Sequence, residues 1–400
     1  MKKIVLLFAA LPLFASCMSI NNMGDIGMDG SGEYCPEAPG DSASGEWEGS
    51  GDNGNHNSGV LTAGEWCDLN NWDFWSGLQN GEYKSSIDYW GFNTAFRVAV
   101  KLSDKNDNPV PGAWISLKAG DNIVWQCRSD NHGRANCWME AFDMQAIQLS
   151  HPSYSLLVNG ELVSENPQVT YFQDEKVNYN EFVLDSPSTA EKSLDIAFIV
   201  DATGSMGDEI NFLKSDLMDI LRKAEQFNSD VKLRSGALFY RDEDDDYVTR
   251  SHSFSSNHQE TLDFISAQNS GGGGDYPEAV HTALEMGLQT LSWNENAMSR
   301  VAFLICDAPA HYNANVLESL HNSIRQYAKQ GIVIIPVAAS GVDKNTEFML
   351  RDFAIFTSGT YCFLTNHSGV GEDHIEASVG DYQVELLNEL LIRLIRKYME

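Results

Sequence analysis

The chain has 400 residues, enough for two domains and a tail, and a formal net charge of −31. An acidic balance of this size excludes charge-driven contact with nucleic acid or with an anionic membrane surface. It suits a soluble chain that binds cations, although much of such charge serves only to keep a protein in solution.

At the N-terminus Lys2 and Lys3 precede an apolar segment, Ile4 to Phe14, and then Ala15, Ser16 and Cys17. A basic start, a short apolar stretch and small residues before a cut describe a secretion signal over residues 1–16, too short to span a membrane as a mature helix. A cysteine directly after the small pair resembles the bacterial lipoprotein signal. That resemblance implies an acylated Cys17 as the mature N-terminus, with Phe14 standing where Leu is commoner. It also implies an exported protein, lipid-anchored in the cell envelope at the outer membrane, whose membrane contact is the lipid alone. The plainer alternative is an ordinary signal cut near Ser19. Loss of Lys2 and Lys3 with the leader takes the charge to −33.

Residues 17–60 are rich in Gly, Ser, Asn and Asp and cannot bury enough apolar area to offset chain entropy, so they read as an acidic tether. Residues 61–92 gather Trp66, Trp72, Phe74, Trp75, Tyr83, Tyr89, Trp90 and Phe92. This segment is expected to connect the tether to the domains, its rings packing on a neighbouring domain rather than stacking on sugars.

From residue 93 to 186 short alternating runs such as Phe96 to Leu102 and Ala113 to Leu117 are separated by turn signals, the pattern of a small all-β sandwich. The stretches DNPVPGAWISLKAG and CRSDNHGRANCWM resemble transthyretin-like modules of the carboxypeptidase-regulatory type, which implies a spacer or binding module. Cys127 and Cys137 flank a turn and are expected to face each other across a hairpin as a disulfide; Cys35 with Cys67 is a second candidate pair. Cys306 and Cys362 sit in apolar runs as buried small residues. No two-residue cysteine spacing suggests zinc.

After a linker, SPSTAE, residues 192–400 alternate strands and helices. Strands are predicted at Leu194–Val200, Leu233–Tyr240, Tyr247–Phe254, Val301–Cys306, Ile332–Ala338 and Thr360–Leu364. Helices are predicted at Asp208–Gln226, His258–Ser266, Pro277–Leu291, Val316–Lys329, Thr346–Thr357 and Tyr382–Tyr398. Several strands are β-branched throughout, as when both faces are covered. The fold class is α/β, a doubly wound and mostly parallel sheet preceded by the small β domain.

In that architecture ligands sit beyond the carboxyl ends of the strands. Asp201 ends one predicted strand and Asp307 follows another, so two acids would meet at one edge, each costly there without a cation or donors. Thr203 and Ser205 follow Asp201 at alternate positions, where an extended turn aims both hydroxyls the same way. Such oxygens suit Mg²⁺ first, and also Mn²⁺ or Ca²⁺.

The run DATGSM resembles the D-x-S/T-x-S signature of the von Willebrand factor A domain, with Thr203 in place of the commoner Ser. The resemblance implies that Asp201, Thr203 and Ser205 form the first loop of a metal-ion-dependent adhesion site and that Asp307 contributes to it. Adhesion and scaffolding through an acidic group of a partner would follow. The second loop is expected to supply a threonine, and GGGGDYPEA offers Asp275 instead. Three carboxylates around a divalent ion leave a charge of about −1, which weakens the pull on a partner carboxylate. Glu278 reads as an ordinary acid in the first turn of a helix begun by Pro277.

Three other readings compete. Thr203 or Ser205 is an N-cap in one, but a cap needs neither Asp201 nor Asp307. Ser205, Asp307 and His311 run in hydrolase order in another, but Thr203 stands where the nucleophile elbow needs Gly, and His311 follows Asp307 too closely. A spacer without a ligand-recruiting metal is the third. The acidic run Asp242 to Asp246 reads as a solvated turn. The expectation is a non-enzymatic envelope lipoprotein that holds a divalent cation and binds another protein or an extracellular-matrix ligand.

Overall fold

The computed structural model describes residues 61–143, 153–366 and 376–400. The expected signal, Cys17, the tether and Cys35 lie outside the described residues. In chain order the elements are β1 (Thr62–Trp66), α1 (Trp72–Asn80), α2 (Lys84–Trp90), β2 (Phe96–Asp104), β3 (Trp114–Ala119), β4 (Asn122–Arg128), β5 (Arg134–Trp138), β6 (Tyr154–Val158), β7 (Glu161–Ser164), β8 (Thr170–Tyr171) and β9 (Tyr179–Leu184). Then come β10 (Glu191–Asp201), α3 (Gly207–Phe227), β11 (Lys232–Tyr240), β12 (Thr249–Ser255), α4 (His258–Ser266), α5 (Val280–Thr290), β13 (Ala297–Cys306), α6 (Ala314–Gln330), β14 (Val333–Ala338), α7 (Lys344–Thr357), β15 (Tyr361–Thr365), β16 (Glu385–Leu386) and α8 (Leu387–Lys397). None of the described helices is long and apolar enough to cross a membrane.

The larger sheet has eight strands in the order β12-β11-β10-β13-β14-β15-β1-β16. Its five central strands, β11, β10, β13, β14 and β15, run parallel, and both edges are antiparallel. Side chains alternate across a strand. Ile196, Phe198 and Val200 of β10 therefore enter one core with α3 and α8, whereas Ala197 and Ile199 enter the other with α5, α6 and α7. Burial on both faces explains why these strands read as unbroken apolar runs.

The segment 61–92 is more than a connector. β1 lies inside the large sheet, antiparallel to both β15 and β16. Its five residues, TAGEW, carry no alternating signal, so only the open edge of β15 reveals the pairing. As expected, most of the aromatics pack inward, Tyr89 being exposed: Trp75 stacks on Phe348 of α7 at 5.8 Å, and the Trp90 indole donates to the Asn345 carbonyl at 3.1 Å. Asp68 forms a fork with Arg351 of α7, with Nε to Oδ2 at 2.9 Å and Nη2 to Oδ1 at 2.5 Å. Both side chains are buried.

Between α2 and β10 lie two four-stranded sheets, one with β2 paired to β5, β8 and β9, the other ordered β4-β3-β6-β7. Val98 and Val100 of the first and Ile115, Leu117 and Trp125 of the second share one core, an arrangement compatible with the expected sandwich. That core runs on into the α6–α7 layer, where Trp138 meets Phe356 at 5.4 Å. Cys127 and Cys137 are buried free thiols with sulfurs 3.5 Å apart. They face each other between the two sheets, not across one hairpin, because β4 and β5 pair with different partners.

The Asp68–Arg351 fork gives a test of this integration. Removing Asp68 takes away the fork and leaves buried Arg351 only the longer 3.6 Å contact with Glu347 as counter-charge, so Asp68→Ala should destabilise the protein by about 3 kcal/mol in urea unfolding. A loose connector at this position would leave the midpoint unchanged.

Candidate metal centre

β10 and β13 are adjacent and parallel, with Val200 opposite Ile305, so Asp201 and Asp307 leave the sheet at the same carboxyl edge. Asp201 is fully buried and Asp307 is 7% exposed. Asp201 Oδ1 accepts the Thr203 backbone N–H at 2.9 Å and the Thr203 hydroxyl at 2.8 Å. Its Oδ2 is buried with no hydrogen-bond partner. Burial, and then the like charge of Asp307, push the Asp201 carboxyl up to about 7, against the opposing pull of the Thr203 bonds and of the Tyr240 hydroxyl.

Thr203 does not cap a helix; its hydroxyl is turned back to Asp201. A hydroxyl that donates in this way keeps its lone pairs for a cation. Ser205 is exposed and lies in the tight turn Gly204–Met206, where the chain is no longer extended. The expected alternation therefore aims only Thr203 inward among the two hydroxyls.

In the second loop the two acids lie differently. Asp275 is exposed, whereas Glu278 is 4% exposed and its Oε2 has no hydrogen-bond partner. The reason is local. The Glu278 N–H donates to the Pro309 carbonyl at 2.9 Å, and residues 278 and 310 form a parallel bridge. The predicted helix from Pro277 is thereby delayed to Val280, and Glu278 turns inward instead of lying on a first helical turn. Burial and the charges of Asp201, Asp242, Asp307 and Asp245 push its carboxyl up to about 9. Gly273, at φ +74°, is what admits it: a Cβ there would stand 3.0 Å from Glu278 Oε1 and 3.3 Å from the Thr203 Cβ. Glycine 271 also donates to the Ala202 carbonyl at 3.0 Å, docking the glycine loop on the Asp201 loop.

The acidic run after β11 is not simply solvated. Asp245 Oδ2 accepts the Gly273 N–H at 2.9 Å, Asp242 pairs with His311 Nε2 at 2.6 Å, and Glu243 pairs with His281 at 3.1 Å. His311 is thus directed to Asp242, away from any relay with Ser205. Behind the site Glu209 of α3 is also raised to about 7, chiefly by burial, with Asp307 adding to it.

A buried carboxylate oxygen without a donor is costly unless a proton or a cation satisfies it. Asp201, Glu278 and Asp307 with the Thr203 hydroxyl are hard-oxygen donors of the type that suits a divalent cation. Among the described residues no group of three or more His, Cys, Asp or Glu side chains is arranged so that it could hold a metal ion.

This strand, loop and glycine-turn arrangement has known counterparts: residues 195–369 match the family model of the von Willebrand factor A domain. The chain carries a von Willebrand factor A domain. Domains of this family commonly act in protein–protein interaction and metal-dependent adhesion, and often bind a divalent cation. Two relatives share this region. One is an alpha-protein kinase of Dictyostelium discoideum, 32% identical over 123 residues, covering 30% of this chain and 19% of the relative. The other is an ariadne-like RING finger protein of Acanthamoeba polyphaga mimivirus, 31% identical over 131 residues, covering 33% of this chain and 12% of the relative. The chain thus spans less than a fifth of either relative's length. As folded, the von Willebrand factor A sheet reaches beyond the matched residues, since β1 and β16 lie outside them.

The raised carboxyls predict a pH dependence. An unfolded chain releases these protons near about pH 4. The folded protein holds them to about 7 on Asp201 and about 9 on Glu278. Metal-free stability should therefore be highest at acid pH with respect to these groups and fall as pH climbs toward about 9. Thermal melts across that range check this, and Glu278→Gln should flatten the upper part of the decline.

Proposed function

We propose that this chain is an exported lipoprotein whose von Willebrand factor A domain holds a divalent cation, Mg²⁺ first, and uses it to bind a protein or extracellular-matrix ligand. The observation that carries the reading is the fully buried Asp201 carboxylate with one oxygen satisfied by Thr203 and the other left without a hydrogen bond that meets the geometry of one, beside the buried Tyr240 hydroxyl. Asp201, Thr203, Glu278 and Asp307 would hold the ion. Its charge would offset the crowding of acids at this edge and supply a Lewis-acidic anchor for a partner group. Ser205 and Asp275, both exposed, would complete the ion's shell from the solvent side. Acylation of Cys17 would tether the domain to the envelope, and no catalytic role is proposed.

The test is thermal shift and calorimetry with Mg²⁺, Mn²⁺ and Ca²⁺. Wild type should gain several degrees, Asp201→Ala should lose the response, Glu278→Gln should weaken it at least tenfold, and Asp275→Asn should change it little. No metal response in wild type overturns the site. Incorporation of labelled palmitate in a bacterial host, abolished by Cys17→Ser, checks the anchor; an unlabelled chain cut near Ser19 would refute it.

A further inference from the structure

Cys127 and Cys137 carry chemistry that the metal centre does not use, and they belong to different sheets. Cys127 of β4 stands opposite Ile115 of β3, and Cys137 of β5 stands opposite Val98 of β2. Their sulfurs are 3.5 Å apart, on residues 5% and 0% exposed. The turn that joins β4 to β5 is fixed. The Asp130 carboxylate accepts the His132 and Arg134 N–H groups at 2.9 and 2.8 Å, and the Gly133 N–H donates to the Asp130 carbonyl at 2.9 Å. Gly133, at φ +73°, lies so close to β2 that a Cβ there would collide with the Leu102 carbonyl oxygen. Both strands therefore leave the turn in set directions, and the fold itself brings the two sulfurs into contact. The sulfurs of a disulfide are about 2.0 Å apart, so closure asks for a movement of about 1.5 Å shared between two side chains.

The same fold shuts the pair off. Both cysteines lie in one core with Val98, Ile115 and Trp125. Phe356 of α7 packs on this core, meeting the rings of Trp125 at 5.7 Å and Trp138 at 5.4 Å. Thiol oxidation by exchange needs a thiolate that can reach the oxidant's disulfide. Burial, and then the neighbouring Cys127 sulfur, push the Cys137 thiol well above its ordinary range. An oxidant has no path to either sulfur until the two sheets part.

We propose that Cys127 and Cys137 close an inter-sheet disulfide before the two small sheets dock, and that the docked sheets then preserve whichever state, bond or dithiol, the folding compartment set. The reaction is thiol–disulfide exchange with a protein oxidant that carries a disulfide. In the open chain one cysteine thiolate attacks that disulfide, which forms a mixed disulfide and releases one oxidant thiolate. The second cysteine thiolate attacks the mixed disulfide, forms the Cys127–Cys137 bond and releases the other oxidant thiolate. The chain gives up two protons and two electrons, and the oxidant takes them up as a dithiol. An export compartment supplies such an oxidant, whereas the cytosol keeps thiols reduced. The closed loop holds nine residues between the cysteines, and its turn is already ordered, so the bond adds little chain entropy to stability. Its effect is to hold the two sheets in register with each other. The inference is independent of the cation and of the lipid anchor.

The test uses residues 17–400 made twice, once behind a cleavable export leader in a bacterial periplasm and once in the cytosol. Free thiols are blocked in denaturant and the chain is cut with trypsin, which cleaves after Arg128 and Arg134, between the two cysteines. The exported chain should give the two cysteine peptides joined, and the cytosolic chain should give them separate and blocked. Folded cytosolic protein kept in oxidised glutathione, and folded exported protein kept in dithiothreitol, should change state at least roughly a hundredfold more slowly than the same protein in urea. The joined form should melt a few degrees above the dithiol, and Cys127→Ala with Cys137→Ala should remove that gap. Separate peptides from the exported chain overturn the bond, and a bond from either residue to another cysteine overturns the pairing. Exchange in the folded protein as fast as in urea overturns the preservation and makes the pair an open redox switch.

Discussion

The parallel pairing of β10 with β13 delivers Asp201 and Asp307 side by side at the dry edge of the sheet, and like charges so placed cannot both stay ionised without compensation. Much around them answers that constraint. Thr203 satisfies one oxygen of Asp201. The glycine loop closes without side chains, so that Glu278 can reach the same space. The acidic loop after β11 is held by His311, His281 and the Gly273 N–H instead of drifting into solvent. Buried acids with raised carboxyls gathered at one sheet edge mark a candidate functional site.

A second dependence runs through the other end of the sheet. β15 would be an open edge, with unpaired N–H and C=O groups, were it not covered by β1 and then β16. The residues that follow β1 are clamped to α7 by the Asp68–Arg351 fork and by Trp75 on Phe348. The segment before the β domain and the segment just before the last helix thus complete one sheet, and the two small sheets share its α6–α7 core. The chain order of the parts is not the spatial order of the fold.

How much of this the sequence reveals depends on how local each signal is. The central strands and their helices are legible because double-sided burial writes β-branched runs, and helix faces repeat at their own period. Asp201 and Asp307 are legible because each ends such a run. β1 is not, since TAGEW is short and finds its place only by pairing with residues some 300 positions away. Asp275 and Glu278 are three residues apart in an acidic loop, and nothing local says which one turns inward. The signal that separates them is the Glu278 N–H on the Pro309 carbonyl, a contact between two loops.

The amino-acid order by itself determined the α/β architecture, the alternation of strands and helices after residue 192, and the two acids at the carboxyl edge, because burial and periodicity act over a few residues. Only the tertiary structure decided that residues 62–66 belong to the large sheet, that Cys127 and Cys137 meet between sheets, and that Glu278 rather than Asp275 joins Asp201 in the buried wall. Each of these is set by a hydrogen bond or a packing contact between segments distant in the chain. No window of sequence contains both partners of such a contact.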